Sequence, residues 1–255
     1  DATFSTLGIV QNTLFDAATI NPGLLSVRAT GNLSVNTDVI DGTVRDRFNR
    51  NIADTNFSWA YAFTSGADLD AADFAAVAGN TGNLTFGDGV DLVTGTGDIA
   101  LNAGGDVQFG IGATLQAVGR HLDAANIRGT ISDQFTGSDA IQQTAVRRYL
   151  QGTSFPEASG DIRIAARGSY QATRPTQQIS QWTFRIGGSN IGGAEQNAPD
   201  AWGLVLDSYR GNIGMFGGGD VDIDVGGDVI GAQVSNASFG RQEGCLLYTS
   251  DAADE

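Results

Sequence analysis

Lysine is absent from the chain: all 14 basic residues are arginine. Cysteine occurs once, at Cys245, and histidine once, at His121. A single cysteine builds no internal disulfide framework, and one cysteine with one histidine makes no Cys/His zinc site. Without lysine there is no phosphate-binding loop of the Gly-x-x-x-x-Gly-Lys type and no lysine base. Nor does any apolar run approach the roughly 20 residues that cross a bilayer, so no membrane insertion is expected. The start shows no charged segment leading into an apolar one, the pattern of a secretory signal. It reads Asp1-Ala2-Thr3 with no initiator Met, from which a start farther upstream is expected.

Positive charge is short overall: 29 acidic residues against 14 basic give a net charge of −15. That balance excludes a nucleic-acid partner, which needs a basic footprint, and docking on an anionic lipid surface. It suits a soluble, self-repelling protein outside the cytoplasm. Hydrophobic residues reach 41 %, so the 255-residue chain is no disordered acidic tail and can bury a large core.

Proline is scarce and glycine abundant, 4 residues against 36. One unit recurs: Gly, then Asp or Asn, then alternating apolar residues. It appears as Gly31-Asn32-Leu33-Ser34-Val35, Gly82-Asn83-Leu84-Thr85-Phe86, Gly97-Asp98-Ile99-Ala100-Leu101 and Gly105-Asp106-Val107-Gln108-Phe109. It returns at Gly160-Asp161-Ile162-Arg163-Ile164, Gly211-Asn212-Ile213, Gly219-Asp220-Val221-Asp222-Ile223 and Gly227-Asp228-Val229. Within clusters the step is 8 residues, as from Gly97 to Gly105 and from Gly211 to Gly219 to Gly227. A short fixed period marks a repeat architecture. Period-2 alternation puts Val221, Ile223 and Val225 on one strand face and Asp220, Asp222 and Asp224 on the other. Gly and Asn/Asp accept φ > 0, so each unit is expected to end in a tight corner. Strand, corner and strand wind into a coil whose inward Val, Ile, Leu and Phe stack into one core. The expected fold is all-β: a parallel β-helix over 1–244 with irregular loop or short-helix insertions.

Insertions are expected where the period breaks, near 49–78, 121–151 and 173–198. The first holds the alternating aromatics Phe57, Trp59, Tyr61 and Phe63 before a loop-like or helical run from Gly66 to Phe74. The second carries a weak helix-start signature at Asp139–Gln142. Residues 245–255 break the glycine pattern and resemble translated sequencing-adapter DNA, so they are set aside from the fold.

Three passages resemble the filamentous haemagglutinin family of large exoproteins and outer-membrane-associated adhesins. They are Leu24–Val35 with Asp41-Gly42; Ser58–Leu69 with Thr94–Val107; and Ala201-Trp202-Gly203 through Gly217–Val221 to Gly227-Asp228-Val229. The order of the glycine units with the Trp-containing inserts is the specific part. The resemblance implies a right-handed β-helix shaft on a secreted or cell-surface protein of a Gram-negative-type cell. It implies export of the parent protein through an outer-membrane pore by two-partner secretion, and attachment to a glycan or protein on host or neighbouring cells. The stalk of a contact-dependent toxin exoprotein is a variant of the same reading. The family has no shared catalytic residues or cofactor to carry over, and none is expected here.

Side-chain chemistry gives few candidates. Trp59, Trp182 and Trp202 lie in or near the inserts and are the candidate ligand contacts: exposed aromatics stack on sugars or anchor a protein partner. The alternative is that they pin inserts to the shaft. Asp220, Asp222, Asp224 and Asp228 invite calcium, but Gly217–Asp222 departs from the Gly-Gly-x-Gly-x-Asp repeat because position 220 is not Gly. His121 and the Arg147-Arg148 pair read as loop and solvated-helix residues. A carbohydrate-active β-helix enzyme, lyase or hydrolase, would need two carboxylates about 5 to 9.5 Å apart in a groove, and no pair stands out.

Overall fold

The structure, a computed structural model, describes residues 2–4, 22–45, 51–54, 57–120, 156–186 and 201–236. The tail at 245–255, the insertion at 121–151, His121 and Arg147-Arg148 lie outside the described residues.

The chain opens with β1 (Ala2–Phe4) and then runs through a repeated circuit. The first circuit is β2 (Leu24–Ala29), β3 (Leu33–Val35) and β4 (Val39–Ile40), followed by a hairpin of β5 (Thr43–Arg45) and β6 (Asn51–Ala53). The second is β7 (Ala60–Ser65), β8 (Leu84–Phe86) and β9 (Asp91–Thr94). The third is β10 (Ile99–Ala103), β11 (Val107–Phe109) and β12 (Thr114–Ala117). The fourth begins with β13 (Ile162–Ala166) and β14 (Tyr170–Ala172). It is interrupted by an antiparallel pair, β15 (Thr183–Ile186) and β16 (Ala201–Leu204), and closes with β17 (Ile213–Met215). The fifth is β18 (Val221–Val225), β19 (Val229–Ile230) and β20 (Val234–Asn236).

Three sheets result, each taking one strand from every circuit. Their orders are β1-β3-β8-β11-β14-β19, β18-β13-β10-β7-β2 and β20-β17-β12-β9-β4. Every pairing inside these three sheets is parallel. Helix is confined to two 3₁₀ turns, Ile179–Gln181 and Leu206–Ser208, among the described residues. The architecture is therefore all-β, with parallel sheets visited in a fixed order, as a parallel β-helix requires. The described prolines, Pro22, Pro156 and Pro175, fall between strands, where their missing N–H costs no ladder bond.

The register lines up inward residues into rows. Leu25, Tyr61, Ile99, Ile162 and Val221 form one row, and Val27, Phe63, Leu101, Ile164 and Ile223 the next. Leu33, Leu84, Val107 and Tyr170 run along the first sheet, and Val39, Leu92, Leu115 and Ile213 along the third. All meet in one core. Aromatics stack through it: Phe63 meets Phe86 edge-on at 6.1 Å, Phe86 lies flat on Phe109 at 4.8 Å, and Phe109 tilts on Tyr170 at 5.5 Å. Each fully buried Leu, Ile or Phe contributes about 1.5–3 kcal/mol relative to exposure.

The expected insertion at 49–78 divides. Of the alternating aromatics, Tyr61 and Phe63 are inward residues of β7, while Phe57 and Trp59 precede that strand and are exposed. Among the described residues, the hairpin strand β6, residues 57–59 and the loop from Gly66 to Asn80 lie outside the three parallel sheets. The corner ahead of β7 is Trp59-Ala60 in place of Gly-Asp, which hid the strand's membership. Between β14 and β17 the described chain runs through the 3₁₀ turn Ile179–Gln181 and the antiparallel pair β15–β16.

Glycine acts at the corners mainly through close approach. Of the repeat glycines, Gly82 and Gly219 adopt positive φ, at 100° and 96°, whereas Gly97, Gly105, Gly160 and Gly227 do not. A Cβ on Gly97 would lie 2.0 Å from the Trp59 carbonyl oxygen, and one on Gly160 1.9 Å from that of Gly97. The sequence-based expectation of left-handed corners is thus corrected at Gly97, Gly105, Gly160 and Gly227: the preceding circuit fills the space a side chain would need, with backbone oxygens at Gly97 and Gly160 and corner side chains at Gly105 and Gly227.

Candidate functional site

The described surface has one worked corner, at the start of β7, and it holds Trp59. The Trp59 backbone N–H donates to Asp41 Oδ2 at 2.7 Å. Its ring lies over Gly23, where an added Cβ would come within 3.0 Å of the ring. Trp59 keeps 44 % of its surface exposed, as a polar-lined aromatic platform needs. Beside it, Phe57 is exposed and carries the Arg120 guanidinium 4.6 Å from its ring centre.

Ser58, between these aromatics, is buried. Its Oγ accepts the N–H groups of Gly95 at 2.8 Å, Thr96 at 2.7 Å and Gly97 at 3.1 Å. Thr94 Oγ1 donates to the Trp59 carbonyl at 2.7 Å, so the Ser58 proton goes to Thr94 Oγ1, 2.9 Å away. Lone pairs and proton are both committed, and no base faces the hydroxyl. Ser58 therefore holds the corner and is not set up as a nucleophile.

Trp182 belongs elsewhere. Only 4 % of its surface is exposed, the burial of a side chain that packs a segment against the sheets. It meets Tyr209 at 5.1 Å and Phe216 at 5.4 Å, in a second cluster with Ala53, Val93, Val118 and Leu206. Val93 and Ile40 lie on the outer face of the third sheet, and Ala53 of β6 with Trp182, Leu204 and Leu206 beside β15 and β16 pack against it. Tyr209 fastens it by donating its hydroxyl to the Ile213 carbonyl at 2.6 Å. Trp202 is placed by its backbone in β16, opposite Arg185; its side chain lies outside the described residues. Trp59 and Trp182 lie in different surroundings, one exposed at the start of β7 and the other inside the second apolar cluster.

The outer face of the second sheet is partly roofed by the loop from Gly66 to Asn80. Thr64 Oγ1 donates to the Phe74 carbonyl at 2.9 Å, and Arg167 donates to Asn80 Oδ1 and the Val77 carbonyl, both at 3.2 Å. Arg28 donates to the Asp68 carbonyl and sits 5.6 Å from the Phe74 ring. The loop's Leu69 and Phe74 remain exposed.

The recurring Asp and Asn residues have a structural task that composition alone did not reveal. Asn32 Oδ1 accepts the Asn83 N–H at 2.9 Å, Asn83 Oδ1 that of Asp106 at 2.9 Å, and Asp106 Oδ1 that of Ser169 at 2.7 Å. Ser169 Oγ then accepts the Asp228 N–H at 3.0 Å. A second ladder runs from Asp98 to Asp161 to Asp220, each step 2.9 Å. Each corner side chain thus satisfies a backbone donor of the following circuit. Asp220 and Asp228 sit on different corners, while Asp222 and Asp224 face outward, Asp222 pairing with Arg163 at 3.2 Å. No group of three His, Cys, Asp or Glu able to hold a metal occurs among the described residues.

Proton chemistry is sparse. Burial drives the Tyr61 and Tyr170 hydroxyls well above the usual phenol range and pushes Tyr209 up to about 12, with the Ser235 hydrogen bond pulling it back. Asp91, on the third sheet, is raised by desolvation, against a lowering hydrogen bond from Thr114 and the charge of Arg210. Comparison of the chain with protein-family models, curated proteins and solved structures gave no match.

Proposed function

We propose that the chain is a stretch of right-handed parallel β-helix serving as the structural and adhesive shaft of a large secreted bacterial surface protein of the filamentous haemagglutinin type. The observation that carries the reading is the repeated circuit: three parallel sheets visited five times in the same order, with side-chain rungs clasping each circuit to the next. Such a stack is rigid along its length because every circuit is held by its neighbours. Polar corners, an acidic balance and the family-like order of glycine units and Trp inserts support a role outside the cell. The parent would leave through an outer-membrane secretion pore, and its partner would be a glycan or protein on another cell. The exposed Trp59 and the roof loop with Leu69 and Phe74 supply contact points on that shaft.

The test is a binding and chain-length assay of the purified chain against neutral and acidic polysaccharides and whole-cell surfaces. Saturable binding weakened about tenfold by Trp59→Ala or Phe74→Ala, with polymer length unchanged, is expected, as for loss of an anchoring aromatic. Shortening of a polymer would move the protein to the carbohydrate-active class. Retention on no surface at all would remove the adhesive part of the reading.

A further inference from the structure

We infer that two straps on the outside of the stack tie the fourth circuit to the second past the third, so that these three circuits open as one cooperative unit. One strap is the roof loop held by Arg167, and the other is the segment carrying Leu206, Tyr209 and Arg210.

Inside a solenoid each repeat touches only its neighbours, and its stability is a sum of nearest-neighbour terms. The inner rows obey that rule: Ile99 of the third circuit pairs with Tyr61 of the second and Ile162 of the fourth. A stack held in that way alone can part at any one interface. The outside of this stack carries contacts that skip a circuit.

The roof loop makes the first. Arg167 stands at the corner after β13, in the fourth circuit. Its guanidinium donates to Asn80 Oδ1 and to the Val77 carbonyl, both in the loop of the second circuit. The third circuit passes beneath at Gly104, where an added Cβ would stand 2.3 Å from the Thr81 carbonyl oxygen and 2.8 Å from that of Gly79. The loop is fixed to its own circuit by Thr64, which donates to the Phe74 carbonyl at 2.9 Å.

The second strap leaves the fourth circuit between β14 and β17. Its Leu206 is buried in one apolar cluster with Val93 of the second circuit and Ala53 of β6, and the 3₁₀ turn Leu206–Ser208 lies against β6. Beneath it runs Gln116 of the third circuit, paired in register with Val93 on one side and Gly214 on the other. Gln116 is on an outer face and yet only 2 % exposed, as a segment laid across the sheet requires. Gly214 leaves room for the strap, since a Cβ there would come within 2.6 Å of the Phe216 ring and 2.9 Å of the Tyr209 ring. Arg210 reaches Asp91 of β9 at 3.8 Å, past Thr114, the register partner of Asp91 in the third circuit. That pair is half-exposed and adds little by itself. The strap is anchored at home: Tyr209 donates to the Ile213 carbonyl, and Gln177 accepts the Arg210 N–H at 2.7 Å and donates to the Ser208 carbonyl.

Parting the third circuit from the fourth therefore also tears contacts to the second, and local opening gives way to opening of the whole unit. The inference rests on these contacts and not on the adhesive reading, so a chain that binds no surface leaves it intact.

The experiment is native-state hydrogen exchange of the full chain in rising urea, because different amides report the two interfaces. The N–H groups of Tyr61, Leu84 and Thr114 bridge the second and third circuits, and those of Ile99, Val107 and Leu115 bridge the third and fourth. Both sets are expected to follow one opening curve in the parent chain. Arg167→Gln and Leu206→Ala cut the straps from the fourth-circuit side. With both in place, Ile99, Val107 and Leu115 are expected to exchange at least about tenfold faster than the other set. Arg167 is exposed, so Arg167→Gln alone keeps the fold and is expected to give a smaller split in the same direction. Ile164→Val weakens the fourth circuit from inside the core, leaves both straps in place, and is expected to speed the two sets alike. Sets that already part in the parent chain, that stay together in the strap variants, or that split as widely in Ile164→Val would overturn the inference.

Discussion

The third and fifth circuits are written in nearly the same residues and end in different states. Gly97-Asp98-Ile99-Ala100-Leu101 opens one, and Gly219-Asp220-Val221-Asp222-Ile223 opens the other. Ile99 and Leu101 are fully buried, while Val221 and Ile223 are half-buried. Nothing in the local pattern separates them. β10 lies between β7 and β13, whereas among the described residues β18 pairs with β13 alone. Burial in this molecule is a property of neighbours: a circuit is only as stable as the two that sandwich it, and local periodicity fixes the face without fixing its cover.

The largest expected effect tests that contrast directly. Leu101→Ala removes three carbons from the middle of the core and should lower unfolding free energy by about 3 kcal/mol. Ile223→Ala deletes a similar volume where solvent already reaches and should cost about 1 kcal/mol, since a partly exposed site loses less transfer free energy and leaves no closed cavity. Urea denaturation of both variants reads the difference. Equal losses would mean that the fifth circuit is covered as fully as the third.

A second contrast sets corner against loop. Gly97→Ala drives a Cβ to within 2.0 Å of a backbone oxygen of the preceding circuit, and backbone cannot rotate away. The cost should be about 3 kcal/mol, the upper end for overpacking. Gly79→Ala, on the roof loop, meets nothing within 4 Å and should change stability by less than about 0.5 kcal/mol. A tolerated Gly97→Ala would show that the circuits can slide apart, and would remove the steric reason for glycine at every such corner.

These contrasts also explain which parts of the fold could be read in advance. The first and second sheets were legible because their corners repeat Gly-Asp or Gly-Asn before an alternating run, as at Gly105-Asp106-Val107. The third sheet was legible at Gly211-Asn212 before β17 but not at β9 and β12, which follow Val90 and Ala113 with no Gly-Asp mark. The place of β7 was hidden because Trp59-Ala60 replaces the corner, Ser58 doing the work of holding it. Trp182 could not be placed from sequence: what buries it is Tyr209, Phe216 and Val93, brought from distant positions by the circuits themselves. Exposed Trp59 and buried Trp182 carry the same residue type in comparable irregular surroundings, and only tertiary packing tells them apart.

The smallest expected effect concerns a charge inside the clasp. On the third sheet Asp91 donates its N–H to Asp38 Oδ1 at 3.0 Å and accepts from Thr114 Oγ1 at 2.7 Å, repeating the corner ladder in a less solvated place. Desolvation raises its carboxyl above the usual range, the charges of Asp38 and Asp207 add to it, and Thr114 and Arg210, 3.8 Å away, act against it. A carboxyl held higher in the folded state than in the unfolded one favours folding while protonated. Its contribution is present below the ordinary carboxylate range and lost as pH rises through the folded value. Asp91→Asn keeps the acceptor for Thr114 and removes the charge. It should stabilise the chain at neutral pH by less than about 1 kcal/mol, with the gain fading in acid as the parent carboxyl protonates. Paired denaturation curves at neutral and acid pH decide it. A loss of stability at neutral pH would mean that the pull of Arg210 outweighs desolvation. In that case the ladder tolerates a charge on its covered sheet as readily as at the open corners of Asp106 and Asp161.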